Sequence, residues 1–142
     1  MAAAKTKPNS AKTLALHCAK IADAQKGRDI VVADIRDVST IADYFVFASG
    51  GSAKQVQAMA EEIDARNEKD LGQRVFHVQG MSEGRWVVLD YVDVVVHLFI
   101  EEARKYYNLD RLWGDAKIVA ARFIGQGDKC PINRAATKTG KT

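Results

Sequence analysis

The sequence predicts an α/β (α+β) domain: a mixed five-stranded sheet with flanking helices, in the order αββαβββα. Three observations predict it. Two short β-branched and aromatic runs, DIVVADIR and DYFVFASG, follow a stretch with helical spacing. A second helical stripe then begins at a capping sequence. Last, the most apolar run of the chain, WVVLDYVDVVVHLF from Trp86 to Phe99, is too rich in adjacent valines for a helix.

Each element has its own local reason. Within residues 11–25, Leu14, Cys18 and Ile21 recur at i, i+4 and i+7, and Gly27 is a helix stop. Asp29 to Arg36 and Asp43 to Gly50 are short and β-rich, so each reads as a strand. Ser52-x-x-Gln55 is a capping box that opens a helix with the stripe Val56, Met59, Ala60 and Ile63; Gly72 closes it. Arg74 to Gly80 is a third strand. Ile100 to about Tyr107 is an amphipathic helix, followed by NLDRLWGDA. Helices and strands that mix in this way pack as layers around one core.

The chain has 142 residues, enough for one domain with a sizeable core. No run approaches the ~20 apolar residues of a membrane span. MAAAKTKPNS lacks the continuous apolar stretch of a signal peptide, and the two cysteines, Cys18 and Cys130, match no disulfide or zinc spacing. These features read as cytoplasmic. Of the net charge of +3, residues 1–12 carry +3 and residues 126–142 another +3, which leaves −3 on residues 13–125. The expected organisation is a flexible basic tail over 1–10, a single domain over 11–117, and a mostly flexible basic extension over 118–142. A mildly acidic body does not suit nucleic-acid binding, so RNA contact is limited to nonspecific brushing by the tails.

The run Trp86–Phe99 contains two aspartates and a histidine, which are costly to bury unpaired. Folded as a hairpin symmetric about Tyr91-Val92, it pairs Asp90 with Asp93, Val88 with Val95 and Trp86 with His97. Those six share one face, because strand side chains alternate. The opposite face, Val87, Leu89, Val94, Val96 and Leu98, is wholly aliphatic and therefore core. An aromatic beside polar residues is the pattern of a binding surface with an anchor. A two-residue loop would need positive φ at Val92, which a β-branched residue resists; a four-residue loop keeps the same register without that strain.

Other chemistry is weaker. Asp90, Asp93 and His97 are suitable metal-ligand types, but no spaced second histidine accompanies them. SGGSAKQ, Ser49 to Gln55, is a strand-to-helix turn of the kind that holds phosphate, without the Walker spacing. It is similar to the Gly-Ser turn of nucleotidyltransferases but lacks their downstream carboxylate pair; Glu61, Glu62 and Asp64 read as a solvated helix face. An enzyme or phosphate-binding protein using the Ser49–Ser52 turn is the alternative reading. His17, His77, Cys18 and Trp113 read as structural or solvated.

Gly27-x-Asp29-Ile30, DYFVFASGGSAKQVQAMA over Asp43–Ala60, Gly80, the Trp86–Phe99 run, Arg104, Tyr106 or Tyr107, and LDRLW at Leu109–Trp113 together resemble the ribosomal silencing factor family, also called Iojap-related proteins. The resemblance spans about residues 11–117. It implies a nucleotidyltransferase-like fold without that activity, no catalytic residue, no metal and no cofactor. It implies a protein that binds the large ribosomal subunit through large-subunit protein fourteen, blocks association with the small subunit, and represses translation under nutrient limitation. Carried over by position, the ribosomal-protein-binding residues are Trp86, Asp90, Tyr91 and Asp93, with Val95 and His97. A homodimer through the same face would compete with that partner. Two positions depart from the family pattern: Val92, where glycine is common, and Gln79, where glutamate is.

Overall fold

A computed structural model of the chain describes residues 8–107 and 117–122. Its elements, in chain order, are α1 (Pro8–Ala24), β1 (Arg28–Asp34), β2 (Tyr44–Gly50), α2 (Ala53–Leu71), β3 (His77–Gln79), β4 (Trp86–Asp90), β5 (Val94–Ile100), α3 (Glu101–Tyr107) and β6 (Lys117–Arg122). The class and element order agree with the sequence reading up to α3.

The strand count does not. The sheet has six strands in the order β3-β4-β5-β2-β1-β6. The sixth pairs antiparallel with β1, Ile30 opposite Arg122 and Val31 opposite Ala121, and so takes up the first residues of the expected C-terminal extension. The sheet is mixed because β2 and β5 run parallel, Tyr44 opposite Val94 through Gly50 opposite Ile100. Every other pairing is antiparallel. Residues 1–10, Leu109–Trp113 and 126–142 carry expectations about tails and family motifs that fall mainly outside the described residues.

Alternation along the strands sorts side chains into two faces. One receives α1 and α2: Leu14, Cys18 and Ile21 from the first helix and Val56, Met59, Ala60 and Ile63 from the second pack on Val46, Val87, Leu89, Val94, Val96 and Leu98. All are buried, as the two helical stripes predict. Burying side chains of this size stabilises by ~1.5–3 kcal/mol each before entropy is charged. Helix α2 is closed at both ends. The Ser52 hydroxyl accepts from the Gln55 N–H, and Gly72, at φ 68, donates its N–H to Glu68. His17 ties the two helices together, its ring nitrogens 2.7 Å from Asn67 Oδ1 and 3.1 Å from Asp70 Oδ2. The Cys18 thiol is buried, which pushes its pKa up to about 12 and leaves it a packing group.

Helix α3 is pinned by a buried cation. Arg104 donates to the Asp29 carbonyl at 2.8 Å and to the Ser49 hydroxyl at 2.7 Å, and its guanidinium lies 5.2 Å from the Phe99 ring centroid. Gly80, at φ +81, ends β3 against β4, where an added Cβ would collide with the Trp86 carbonyl oxygen. Neither the backbone angle nor that contact can be relaxed locally. Gly80→Ala is therefore expected to destabilise the domain by at least about 2 kcal/mol in urea unfolding. An unchanged midpoint would mean that β3 does not hold the edge of the sheet in this way.

Candidate functional site: the aromatic face of the β4–β5 ribbon

The ribbon's register differs by two residues from the sequence expectation. Trp86 lies opposite Phe99, Val88 opposite His97 and Asp90 opposite Val95. An even shift keeps each residue on its expected face, but Asp90 and Asp93 no longer face one another. The reason is the turn. Tyr91 donates its N–H to the Val94 carbonyl at 2.8 Å, and Asp93 donates to the Tyr91 carbonyl at 2.9 Å, which closes a γ-turn with Val92 at φ 76. The turn is tight, though one residue further along than the expected Tyr91-Val92 loop, and Val92 takes the positive φ that a β-branched residue resists. It is held by Asp90, whose Oδ1 accepts from the Val92 N–H at 2.8 Å. This carboxylate has a structural task at the tip.

Rows of side chains then run across the face turned away from α1 and α2. Val88, His97, Phe47 and Val31 form one row; Asp90, Val95, Phe45 and Ala33 form the next. His97 stacks on Phe47 with ring centroids 5.2 Å apart and meets the edge of Phe45 at 5.0 Å. Trp86 packs diagonally on it, donating its indole N–H to His97 Nδ1 at 3.2 Å. Because Nδ1 accepts, the ring proton resides on Nε2, which is buried and has no hydrogen-bond partner. Burial pushes the His97 pKa down to about 4, so the imidazole is neutral near pH 7. The histidine thus acts as a polar rest for an indole that remains half-buried.

The six residues expected at the site separate into two groups. Trp86, Asp90 and His97 are brought together, partly accessible, on one face. Val95 is on that face but buried, among Ala33, Ile35 and Ala42. Asp93 is also buried, at the tip, where its carbonyl accepts from the Asp43 and Tyr44 N–H groups. Tyr91 points the other way. It is 5 % exposed, belongs to the core beneath the helices, and its phenol pKa is raised by that burial. The structure therefore corrects the expectation, carried over from the family resemblance, that Tyr91 is an accessible ribosomal-protein-binding residue. Phe45 and Phe47, which build the floor under His97, were not singled out in the sequence; the Phe-x-Phe alternation in the second strand was the available signal.

The turn considered for phosphate uses its own polar groups internally. The Gly51 N–H donates to Gln55 Oε1 at 2.7 Å, Ser52 caps α2, and the Ser49 hydroxyl receives Arg104. A cavity of about 490 Å³ lies beside it, lined by Ala24, Gln25, Lys26, Arg28 and Gln55. Its Arg28 is paired with Glu101 at 2.6 Å. Among the described residues, no group of three or more His, Cys, Asp or Glu is placed to hold a metal ion, so Asp90, Asp93 and His97 do not form a ligand set. No helix among them is long and apolar enough to cross a membrane.

Comparison with known proteins gives this geometry a context. Residues 8–141 match the family described as "Ribosomal silencing factor during starvation". Ribosomal silencing factor RsfS of Bacillus subtilis (strain 168) is 41% identical over 112 residues, covering 79% of this chain and 94% of the relative. A crystal structure of a Chromobacterium violaceum protein superposes with a TM-score of 0.67 at 29% identity, covering 77% of this chain and 88% of that one. A crystal structure from Bacillus halodurans gives 0.63 at 34% identity, over 72% and 94%.

Two outcomes follow from the site. The imidazole is neutral in the fold with a pKa of about 4, against an ordinary 6.5, so its contribution to stability is complete above pH 6.5 and is lost as the pH falls toward 4. Between pH 7 and pH 5 it should cost roughly 2 kcal/mol of unfolding free energy. His97→Phe should remove that part of the slope; an identical slope in the variant would contradict it. Val92→Gly should raise stability by about 1 kcal/mol, because release from strain at positive φ outweighs the added chain entropy. A drop in the denaturation midpoint would show that the turn is not strained.

Proposed function

The chain belongs to the ribosomal silencing factor family, and from that premise we propose that it is a binding module that silences ribosomes by occupying the large subunit. Its partner in this reading is large-subunit protein fourteen, on the surface that meets the small subunit. Bound there, the domain excludes the small subunit by volume and lowers translation under nutrient limitation. The reading requires no catalysis, cofactor or metal.

The observation that carries it is the Trp86–His97 pair. A large aromatic is partly exposed on a sheet face, and its orientation is fixed by a 3.2 Å hydrogen bond and by rings packed behind it. An anchor already held in its bound orientation loses little entropy on docking. Interface energy concentrates in such residues rather than in contact area. Asp90 lies on the same face, two rows along the strand, beyond Val88, and makes no ion pair among the described residues. A carboxylate so placed attracts the cationic side chains of a ribosomal protein and sets register more than affinity. The Gly50–Ser52 turn, where the Gly51 N–H already donates to Gln55 and the Ser52 hydroxyl caps α2, gives no comparable support to phosphate chemistry.

Co-sedimentation with purified large subunits, alongside a subunit-joining assay, tests the proposal. The wild-type chain should pellet with the large subunit and inhibit joining. Trp86→Ala should weaken binding by ~2 kcal/mol or more while the fold persists. Full-strength binding by a folded Trp86→Ala protein would remove the anchor, and joining that proceeds unimpeded with the subunit saturated would remove the silencing mechanism.

A further inference from the structure

The loop between β1 and β2, residues 35–43, exposes two large aliphatic side chains that the fold does not use. Val38 is 51% and Ile41 74% exposed. The loop is nonetheless well fixed. The N–H groups of Val38 and Ser39 both donate to the Ile35 carbonyl, at 3.1 and 2.9 Å, and the Ile41 N–H donates to the Ser39 hydroxyl at 3.1 Å. The Ile35 N–H donates to the Asp43 carbonyl at 2.9 Å, closing the base. Beneath it, Ile35 and Ala42 are buried against Ala33 and Val95, with Val88 and Phe45 packed on the same cluster. Val38 and Ile41 are thus held outward by a rigid backbone.

Position and charge say what fits there. The Asp43 N–H donates to the Asp93 carbonyl at 2.8 Å, so the loop abuts the hairpin tip, where Val92 is itself 38% exposed. Through Val88 and Val95 the cluster under the loop continues into the Trp86 face. Asp37, Asp43 and Asp90 border the apolar residues and make no ion pair among the described residues. The loop's cation, Arg36, is engaged by Asp34 at 2.7 Å and lies over the Tyr44 ring. An apolar patch with an acidic rim repels RNA phosphates and favours a protein segment that carries lysines or arginines around an apolar side chain.

We propose that Val38 and Ile41, with Val92 at the hairpin tip, form a second half of the docking surface and receive a basic protein segment of the large subunit. This rests on the binding-module reading above and extends it from one anchor on the ribbon to a two-part footprint.

Binding of the full chain to purified large subunits tests the inference, with Val38→Ala/Ile41→Ala, Asp37→Lys and Trp86→Ala measured side by side. Both aliphatic residues are exposed, so the double variant should unfold at the wild-type temperature. Its dissociation constant should rise about tenfold. Asp37→Lys should associate more slowly at low salt, with a flatter salt dependence. Wild-type affinity in the double variant, while Trp86→Ala loses binding, would overturn this inference and leave the anchor reading intact. Failure of the wild-type chain to bind would overturn both. Tighter binding by Asp37→Lys would place RNA phosphate at the patch, and a double variant that loses only self-association would assign it to a second copy; either result contradicts the inference.

Discussion

The γ-turn at Tyr91–Asp93 decides which way the β4–β5 ribbon faces, and the rest of the molecule depends on that choice. A slip of one residue would exchange every side chain between the two faces. Val87, Leu89, Val94, Val96 and Leu98 would then leave the helices, and Trp86 and His97 would enter the core. The register is held against this by a β-branched residue at φ 76 and by a carboxylate that bonds the Val92 N–H. Strain of this kind persists only where the surroundings over-determine it. Here they do: the hairpin's second strand is also locked in parallel register to β2 along all seven of its residues.

With the register fixed, the two faces serve different ends. The helix-covered face is ordinary aliphatic packing. The other is aromatic, with Phe45, Phe47 and His97 in mutual ring contact and Trp86 packed against His97. A neutral histidine suits such a stack because it accepts the indole N–H without carrying a charge into an apolar environment. The cost is one buried imidazole N–H left without a partner, on the order of 1–3 kcal/mol. Rigid aromatic surface bordered by carboxylates supports recognition of a basic protein. At the opposite end of β2, in the Gly-Gly-Ser turn, the Gly51 N–H donates to Gln55 and the Ser52 hydroxyl caps α2, while the adjoining Ser49 hydroxyl receives Arg104.

Much of this was legible in the residues. The Ser52–Gln55 box, the stripe from Val56 to Ile63 and the Gly72 stop gave α2 almost to the residue, because capping and periodicity are local signals. The face of the ribbon was legible too, since a period of two survives any even shift in pairing. The register was not. A β-branched residue disfavours positive φ at position 92, whereas the fold accepts that strain and bonds the turn through Asp90. The role of Tyr91 was implied by the family resemblance alone; alternation with Val87 and Leu89 points its side chain toward the helices, where the fold has it. The sixth strand was missed because KIVAAR has little alternation, and its pairing with β1 is a contact between residues far apart in sequence. The outward pose of Val38 and Ile41 was equally hidden, since the loop's internal hydrogen bonds create it.

The central claim is that the aromatic face of the ribbon, with the Trp86 indole at its centre, is the surface covered in the complex. Hydroxyl-radical footprinting of the chain, free and saturated with purified large subunits, measures this directly, because an accessible indole is oxidised readily and a covered one is not. The account predicts that Trp86 becomes protected on binding while the outer surfaces of α1 and α2 react as before. Equal oxidation of Trp86 in both states, with protection on the helices instead, would contradict it.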